Sequence, residues 1–166
     1  MTNIAPAQVD SVKVNNEALF FQKLTDGSGL WVVENEMFNG QEGFSHFIMK
    51  FNVSEFGGIE GVISGLGAVK DTVNFWKITE FLNPASGETV FIQKGKYGYA
   101  ISNANYDNEN ERTCTFNLTY NNGAIEMHKD IHVFIDKVTL ETKSEVFNFD
   151  TKKWVVQPTL IWKKVE

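Results

Sequence analysis

The sequence predicts an all-β domain in which about ten antiparallel strands form an up-and-down barrel, preceded by one short helix. Aromatic residues, which favour strands, make up 13% of the 166 residues, and 14 of them are Phe. Strand-like segments recur about every eight to twelve residues between turn signals, a spacing typical of β sandwiches and barrels. Within several segments apolar and polar residues alternate, which indicates strands with one covered face and one face in water.

The composition limits the classes of protein to which the chain can belong. Its length suits one domain, and its 42% hydrophobic and 22% charged residues are typical of globular chains. The net charge of −6 argues against a nucleic-acid partner, and the longest basic run, Lys163-Lys164, is too short to favour a membrane surface. Cys114 is the single cysteine, and the first residues do not resemble a signal peptide. We therefore expect a cytoplasmic protein without an internal disulfide.

The N-terminal part of the chain predicts an arm followed by a helix. Residues 1–14 are mixed and aperiodic, and we interpret them as a loose arm. From residue 15 to residue 24, an Asn N-cap and apolar residues at helical spacing predict two to three turns of helix, which the glycines of residues 26–29 end. Residues 15–166 then form a single domain.

The rest of the chain predicts strands. Turn chemistry marks the joints, for example at Asn39-Gly40, Asn83-Pro84 and Asn121-Asn122-Gly123. The polar stretch 105–111 predicts a mobile loop. The predicted strands are 30–36, 44–52, 58–66, 72–82, 88–94, 97–104, 112–120, 123–135, 138–149 and 153–165. Consecutive strands without a crossover helix favour a meander, and closure into a barrel removes its exposed edges. A two-sheet sandwich is the structural alternative.

Two short motifs carry a family resemblance. Gly29-Leu30-Trp31 follows the helix, and Trp162-Lys163-Lys164 lies in the last strand. The arrangement resembles lipocalin-type (calycin) barrels, in particular small cytoplasmic bacterial domains of unknown function. The resemblance implies that the Trp closes the barrel floor against a basic side chain of the last strand.

The chain also departs from related barrels. Fatty-acid-binding barrels hold a carboxylate with arginine in their last strands, whereas no arginine follows Arg112 here. Haem-binding barrels of the nitrobindin type use a histidine near the C-terminus, and no histidine follows His132. These departures disfavour fatty-acid capture of that kind and haem binding, and we predict no cofactor.

The segment EMHKDIHVF places Glu126, His128, Asp130 and His132 on one face of a strand. Two imidazoles and two carboxylates in a row suit acid–base chemistry or a divalent metal ion. The simpler interpretation, which we favour from sequence, is an amphipathic strand with this polar face in water. Residues two apart on a strand are separated by about 7 Å, which is awkward for one ion, so no metal site is predicted.

Further candidates lie on other strands. His46 shares a face with polar and apolar neighbours, and Trp76 and Glu80 share a mixed face that is either an ordinary irregular strand or the wall of a ligand cavity. The glycine-rich segment 57–67 lacks the context of a phosphate loop and predicts a bend in a barrel wall. The residues predicted to bind ligand are His46, Trp76, Glu80, Phe116, Tyr120, His128 and His132, with structural roles for Gly29, Trp31, Trp162, Lys163 and Lys164.

Three functional hypotheses follow from the sequence. The first is a protein that binds a small, largely apolar or aromatic ligand inside the barrel, without catalysis. The second is an isomerase or cyclase on the same scaffold, with His46, His128 or Glu80 as acid or base. The third is an interaction module whose barrel is filled by side chains and whose outer wall binds a partner or pairs as a homodimer. A cavity would separate the third hypothesis from the first two.

Overall fold

The computed structural model describes residues 11–40, 43–55, 57–67 and 71–166. These residues contain one helix, α1 (Ser11–Thr25), which begins four residues earlier than predicted. The first ten residues of the predicted arm lie outside the described residues. Eleven strands follow in the described part of the chain: β1 (Leu30–Glu34), β2 (Phe44–Val53), β3 (Ile59–Gly67), β4 (Thr72–Asn83), β5 (Glu88–Gly95), β6 (Gly98–Asn108), β7 (Glu111–Tyr120), β8 (Ile125–Asp136), β9 (Thr139–Asn148), β10 (Lys153–Val156) and β11 (Leu160–Val165).

The strands form a closed antiparallel barrel, as predicted. Each strand from β1 to β9 pairs with the next along the chain, and β11 pairs with both β9 and β1 to close the ring. β10 pairs with residues 145–148 of β9, whereas β11 pairs with residues 139–142, so the two are halves of one interrupted tenth strand. The interruption falls at Pro158, which has no N–H to donate to a ladder.

The mobile loop predicted over residues 105–111 is wrong. β6 runs to Asn108 and β7 begins at Glu111, which leaves a two-residue turn. Tyr106 is buried in the floor of the barrel, so one large aromatic side chain extends the strand through a polar stretch. The helix also holds the turn, because Lys23 Nζ lies 2.9 Å from Glu109 Oε1 and 2.7 Å from Asn110 Oδ1.

Helix α1 closes one end of the barrel with its apolar side chains. Phe20 is fully buried and packs on Tyr106 and Phe134, with ring centroids 5.3 and 4.8 Å apart. Leu24, one turn further on, is also buried. These contacts give the barrel a solid floor at the helix end.

Trp31 lies at this floor. It is fully buried, its indole Nε1 donates a hydrogen bond of 2.9 Å to the carbonyl oxygen of Leu24, and Lys164 Nζ lies 5.1 Å from its ring centroid. The preceding Gly29 has a φ of 61°, and a Cβ there would clash with the carbonyl oxygen of Phe51. Glycine is therefore required for the chain to turn from the helix into β1 beside β2.

Alternate residues of each strand point into the barrel. The buried apolar residues of the strands, which form the core together with the helix, are Trp31, Met49, Phe51, Ile59, Ile78, Phe91, Ala100, Ala104, Tyr106, Cys114, Phe116, Leu118, Phe134, Leu140 and Trp162. β2 and β4 carry three aromatic residues each. Polar residues of β4, β5, β7, β8 and β9 also point into the interior. The aromatic residues that line it, which we call the aromatic wall, are Phe47, Phe51, Phe75, Trp76, Phe91 and Trp162.

Candidate functional site

The interior of the barrel contains a cavity of about 280 Å³. Leu24 of the helix forms part of its lining, so the cavity reaches down to the floor. The apolar lining includes six aromatic residues: Phe47, Phe51, Phe75, Trp76, Phe91 and Trp162. The polar lining consists of Glu80, Gln93, Arg112, Asp130, His132, Thr142 and Ser144. A mostly apolar cavity with a few polar groups is the usual composition of a small-molecule site.

A buried ion pair crosses one side of the cavity. Arg112 Nη2 lies 2.7 Å from Glu80 Oε1 and Arg112 Nε lies 3.0 Å from Glu80 Oε2, a bidentate arrangement in which both side chains are 4% exposed. Tyr106 donates a further hydrogen bond of 2.6 Å to Glu80 Oε2, and the guanidinium lies 5.0 Å from the centroid of the Phe91 ring. Both charges are therefore fully paired before any ligand arrives.

The pKa values of Tyr106 and Arg112, which both contact Glu80, are raised. Burial raises the pKa of Tyr106 well above its ordinary value, and the charge of Glu80 raises it further. Burial alone would lower the pKa of Arg112, but the charge of Glu80 outweighs this effect and raises the pKa. The guanidinium and the Tyr106 hydroxyl thus keep their protons throughout the physiological range.

The polar face of β8 points into the barrel, so the interpretation that it lies in water is wrong. Opposite residues of paired antiparallel strands share a face. The pairs are Arg112 with His132, Cys114 with Asp130, Phe116 with His128 and Leu118 with Glu126. The β7 members of these pairs are all buried inside, so their β8 partners also point inward. The apolar residues of the alternate face of β8, such as Ile131, consequently lie on the outer wall.

Asp130 and His132 reach the cavity from β8. Ser144 Oγ donates a hydrogen bond of 2.7 Å to Asp130 Oδ1, and burial raises the pKa of the Asp130 carboxyl above its ordinary value. Burial, with a smaller contribution from the charge of Arg112, lowers the pKa of His132 well below its ordinary value. No described residue forms a hydrogen bond with the His132 ring, so a neutral imidazole faces the cavity with free nitrogen atoms.

A second polar cluster lies nearer the end of the barrel opposite the helix. The hydroxyl of Tyr120 donates a hydrogen bond of 2.6 Å to Glu126 Oε2, and His128 Nε2 lies 3.2 Å from the same oxygen. The imidazole of His128 stacks on Phe116, with centroids 5.4 Å apart. Burial and the Glu126 hydrogen bond raise the pKa of Tyr120 to about 12. None of these four residues belongs to the lining of the 280 Å³ cavity.

The structure brings together only part of the set predicted to bind ligand. Trp76, Glu80 and His132 line the cavity, whereas Phe116, Tyr120 and His128 form the neighbouring cluster. His46 lies away from both, half-buried, with its Nδ1 3.1 Å from Ser45 Oγ.

The sequence reasoning missed several cavity residues. Arg112 precedes Cys114 and Phe116 on the apolar face of β7, so extending the alternation by two residues would have placed it inside. Gln93 follows Phe91 on β5 in the same way, and both are buried. Ser144, on β9, gives no comparable signal, because a serine suits either face of a strand.

Neither a metal centre nor a membrane-spanning helix is found in the described part of the chain. Among the described residues, no group of three or more His, Cys, Asp or Glu side chains has a geometry that would hold a metal ion. No helix within the described ranges combines the length and the apolar character needed to cross a membrane. Comparison of the chain with protein-family models, curated proteins and solved structures gave no match. The fold and the cavity therefore define the molecule as a closed antiparallel β-barrel with a partly polar interior.

Proposed function

We propose that the protein binds a small, largely apolar or aromatic ligand inside its barrel. The observation that carries the proposal is the cavity of about 280 Å³ with six aromatic residues in its lining. Ligand pockets generally have volumes of about 300–1,000 Å³, so this volume suits a molecule of one or two rings. The unpaired imidazole of His132 and the amide of Gln93 supply hydrogen-bonding groups that would orient a ligand with one polar substituent.

The observations favour this proposal over the two alternatives. A filled-barrel module has no need of an interior space lined by polar groups that lack partners. The enzyme alternative rests on His46, His128 and Glu80, which lie in three separate parts of the barrel. Glu80 is also held in its ion pair with Arg112, which leaves it poorly placed to exchange a proton with a substrate.

We also propose that the barrel is of the lipocalin type. The buried Trp31 under the Lys164 ammonium supports it, because a Trp packed against a basic residue of the last strand is the feature that the resemblance implies. Lys163 points elsewhere and donates a hydrogen bond of 2.7 Å to Thr139 Oγ1. A cytoplasmic location and a possible homodimer remain predictions from the sequence.

A cavity-filling variant tests the proposal. Ile63 lines the cavity from β3, and its neighbour Val62 points to the outer wall, so Ile63→Trp fills the cavity while Val62→Trp adds the same side chain outside. Three phenylethyl compounds are used, one neutral, one cationic and one anionic. We expect at least one of them to raise the melting temperature of the wild type saturably. At a hundredfold excess over Kd the stabilisation is about 2.7 kcal/mol, or about 5–10 °C for a chain of this length.

The variants then locate the effect. Val62→Trp should keep the rise in melting temperature and Ile63→Trp should lose it. An equal rise in both variants would place binding outside the cavity, and no rise with any compound in the wild type would contradict the proposed function.

A further inference from the structure

The cavity carries one charge that no opposite charge in its wall neutralises directly. Its ionisable lining residues are Glu80, Arg112, Asp130 and His132. Glu80 and Arg112 cancel each other in their bidentate contact. His132 is neutral because burial opposes its protonation. The remaining residue is Asp130, whose partner in the structure is the neutral hydroxyl of Ser144.

The surroundings of Asp130 show what it lacks. Ser144 Oγ donates to Oδ1, while Oδ2 has no hydrogen-bond donor among the described residues. The positive charge of Arg112 attracts the Asp130 carboxylate from a longer distance, but the N–H donors of the guanidinium are directed at Glu80. A desolvated carboxylate with one free oxygen is costly to ionise, and a cation placed beside it would remove that cost.

The aromatic lining suits the same kind of ligand. Trp76, Phe91 and Trp162 contribute rings to the cavity that Asp130 faces. Aromatic faces attract ammonium groups, and the attraction is strongest where water is excluded. The net charge of −6 on the chain also favours the approach of a cation. A carboxylate ligand would instead be repelled by Asp130. It would also find no free donor on Arg112, because the guanidinium is already paired with Glu80.

We propose that the cavity selects a small organic cation, an amine joined to an aromatic or other apolar body, with its ammonium group on Asp130 and its body against the aromatic wall. This inference rests on the proposed function and adds the charge class of the ligand. The ammonium donates to Oδ2, the ring contacts Trp76 and Phe91, and the Glu80–Arg112 pair remains intact.

Three matched compounds test the charge preference: 2-phenylethylamine, 2-phenylethanol and 3-phenylpropionate. Their binding to the full chain is titrated at pH 8 by calorimetry. We expect the amine to bind at least about tenfold more tightly than the alcohol and the acid to bind most weakly, because a charge-assisted hydrogen bond exceeds a neutral one. In Asp130→Asn, which keeps an acceptor for Ser144, the amine should lose this advantage and bind within about threefold of the alcohol.

A control variant separates the site from the general charge of the protein. Glu145 lies next to Ser144 on β9 but faces outward, opposite Lys129, so Glu145→Gln removes the same charge from the outer wall. The amine preference should persist in Glu145→Gln. Loss of the preference in both variants would assign it to the net charge and overturn the proposal.

The pH dependence of the wild type gives a second readout that needs no variant. The charged or titratable groups around Asp130 are Arg112 and Cys114 on β7, Glu80 on β4, and His128 and His132 on β8. Burial raises the pKa of Asp130, so as the pH falls and the carboxylate takes up a proton, the amine should bind more weakly while the alcohol is unaffected. If the alcohol or the acid binds in the cavity as tightly as the amine, the charge assignment is wrong and the proposed function stands. If none of the three binds, both proposals fail.

Discussion

The buried Glu80–Arg112 pair should be the most sensitive electrostatic element of the barrel. Glu80→Gln removes the negative charge and keeps the shape, so the guanidinium remains inside, 4% exposed, without its counterion. Removal of one partner of a buried ion pair typically costs about 3–5 kcal/mol, because the other charge is left uncompensated. For a chain of 166 residues, each kcal/mol lowers the melting temperature by about 2–4 °C. We therefore expect a fall of about 6–20 °C.

Urea denaturation of two matched variants measures this effect. Glu60 forms a surface pair with Lys77 at 3.1 Å, with side chains 45% and 62% exposed, so Glu60→Gln is the control and should cost less than about 1 kcal/mol. The double variant Glu80→Gln, Arg112→Met should be more stable than the sum of the single losses predicts, since it leaves no unpaired charge. Equal stabilities of Glu80→Gln and Glu60→Gln would refute the reasoning.

Two further stability predictions follow from the floor and from β8. Trp31→Ala should cost about 3–5 kcal/mol, because a fully buried ring between Phe134 and Lys164 is lost, and a thermal melt matching that of the wild type would contradict the barrel-floor role. His132 has a lowered pKa in the folded state, so the unfolded chain binds its proton first, and stability is lost as the pH falls through the unfolded value near 6.5. Denaturation between pH 8 and pH 5 should show a slope from this residue of up to about 1.4 kcal/mol per pH unit, which His132→Gln removes; identical slopes in the two proteins would contradict a buried neutral imidazole.

The strands were predictable because their signals are local. Turn residues such as Asn121-Asn122-Gly123 and period-two alternation both act over a few positions. The predicted and observed strands differ mainly at their ends, except that the single strand predicted over 153–165 is interrupted and forms β10 and β11. The stretch 105–111 shows where composition misleads. Tyr106, a single inward aromatic residue, extends β6 through a run of polar residues, and α1 then fixes the turn.

The orientation of β8 was not predictable from alternation. A period of two separates the faces of a strand but does not say which face points inward, and a hollow barrel with a polar site reverses the usual rule. Alternation correctly places His128 and His132 on one face with Asp130, but the polarity of that face predicts water where the structure has the interior. The ion pair of Glu80 with Arg112 could not be predicted from the sequence for another reason. It joins β4 to β7 across the interior, and only the closed barrel brings them together.

The most direct test of the account is a crystal structure of the protein grown with a bromine-labelled phenylethyl compound, in which anomalous scattering locates the bromine. If the ligand binds in the cavity, a single bromine peak should lie inside the barrel, among Trp76, Phe91 and Trp162 and within reach of His132. A peak only on the outer wall, or an interior in which side chains occupy the space of the cavity, would contradict it.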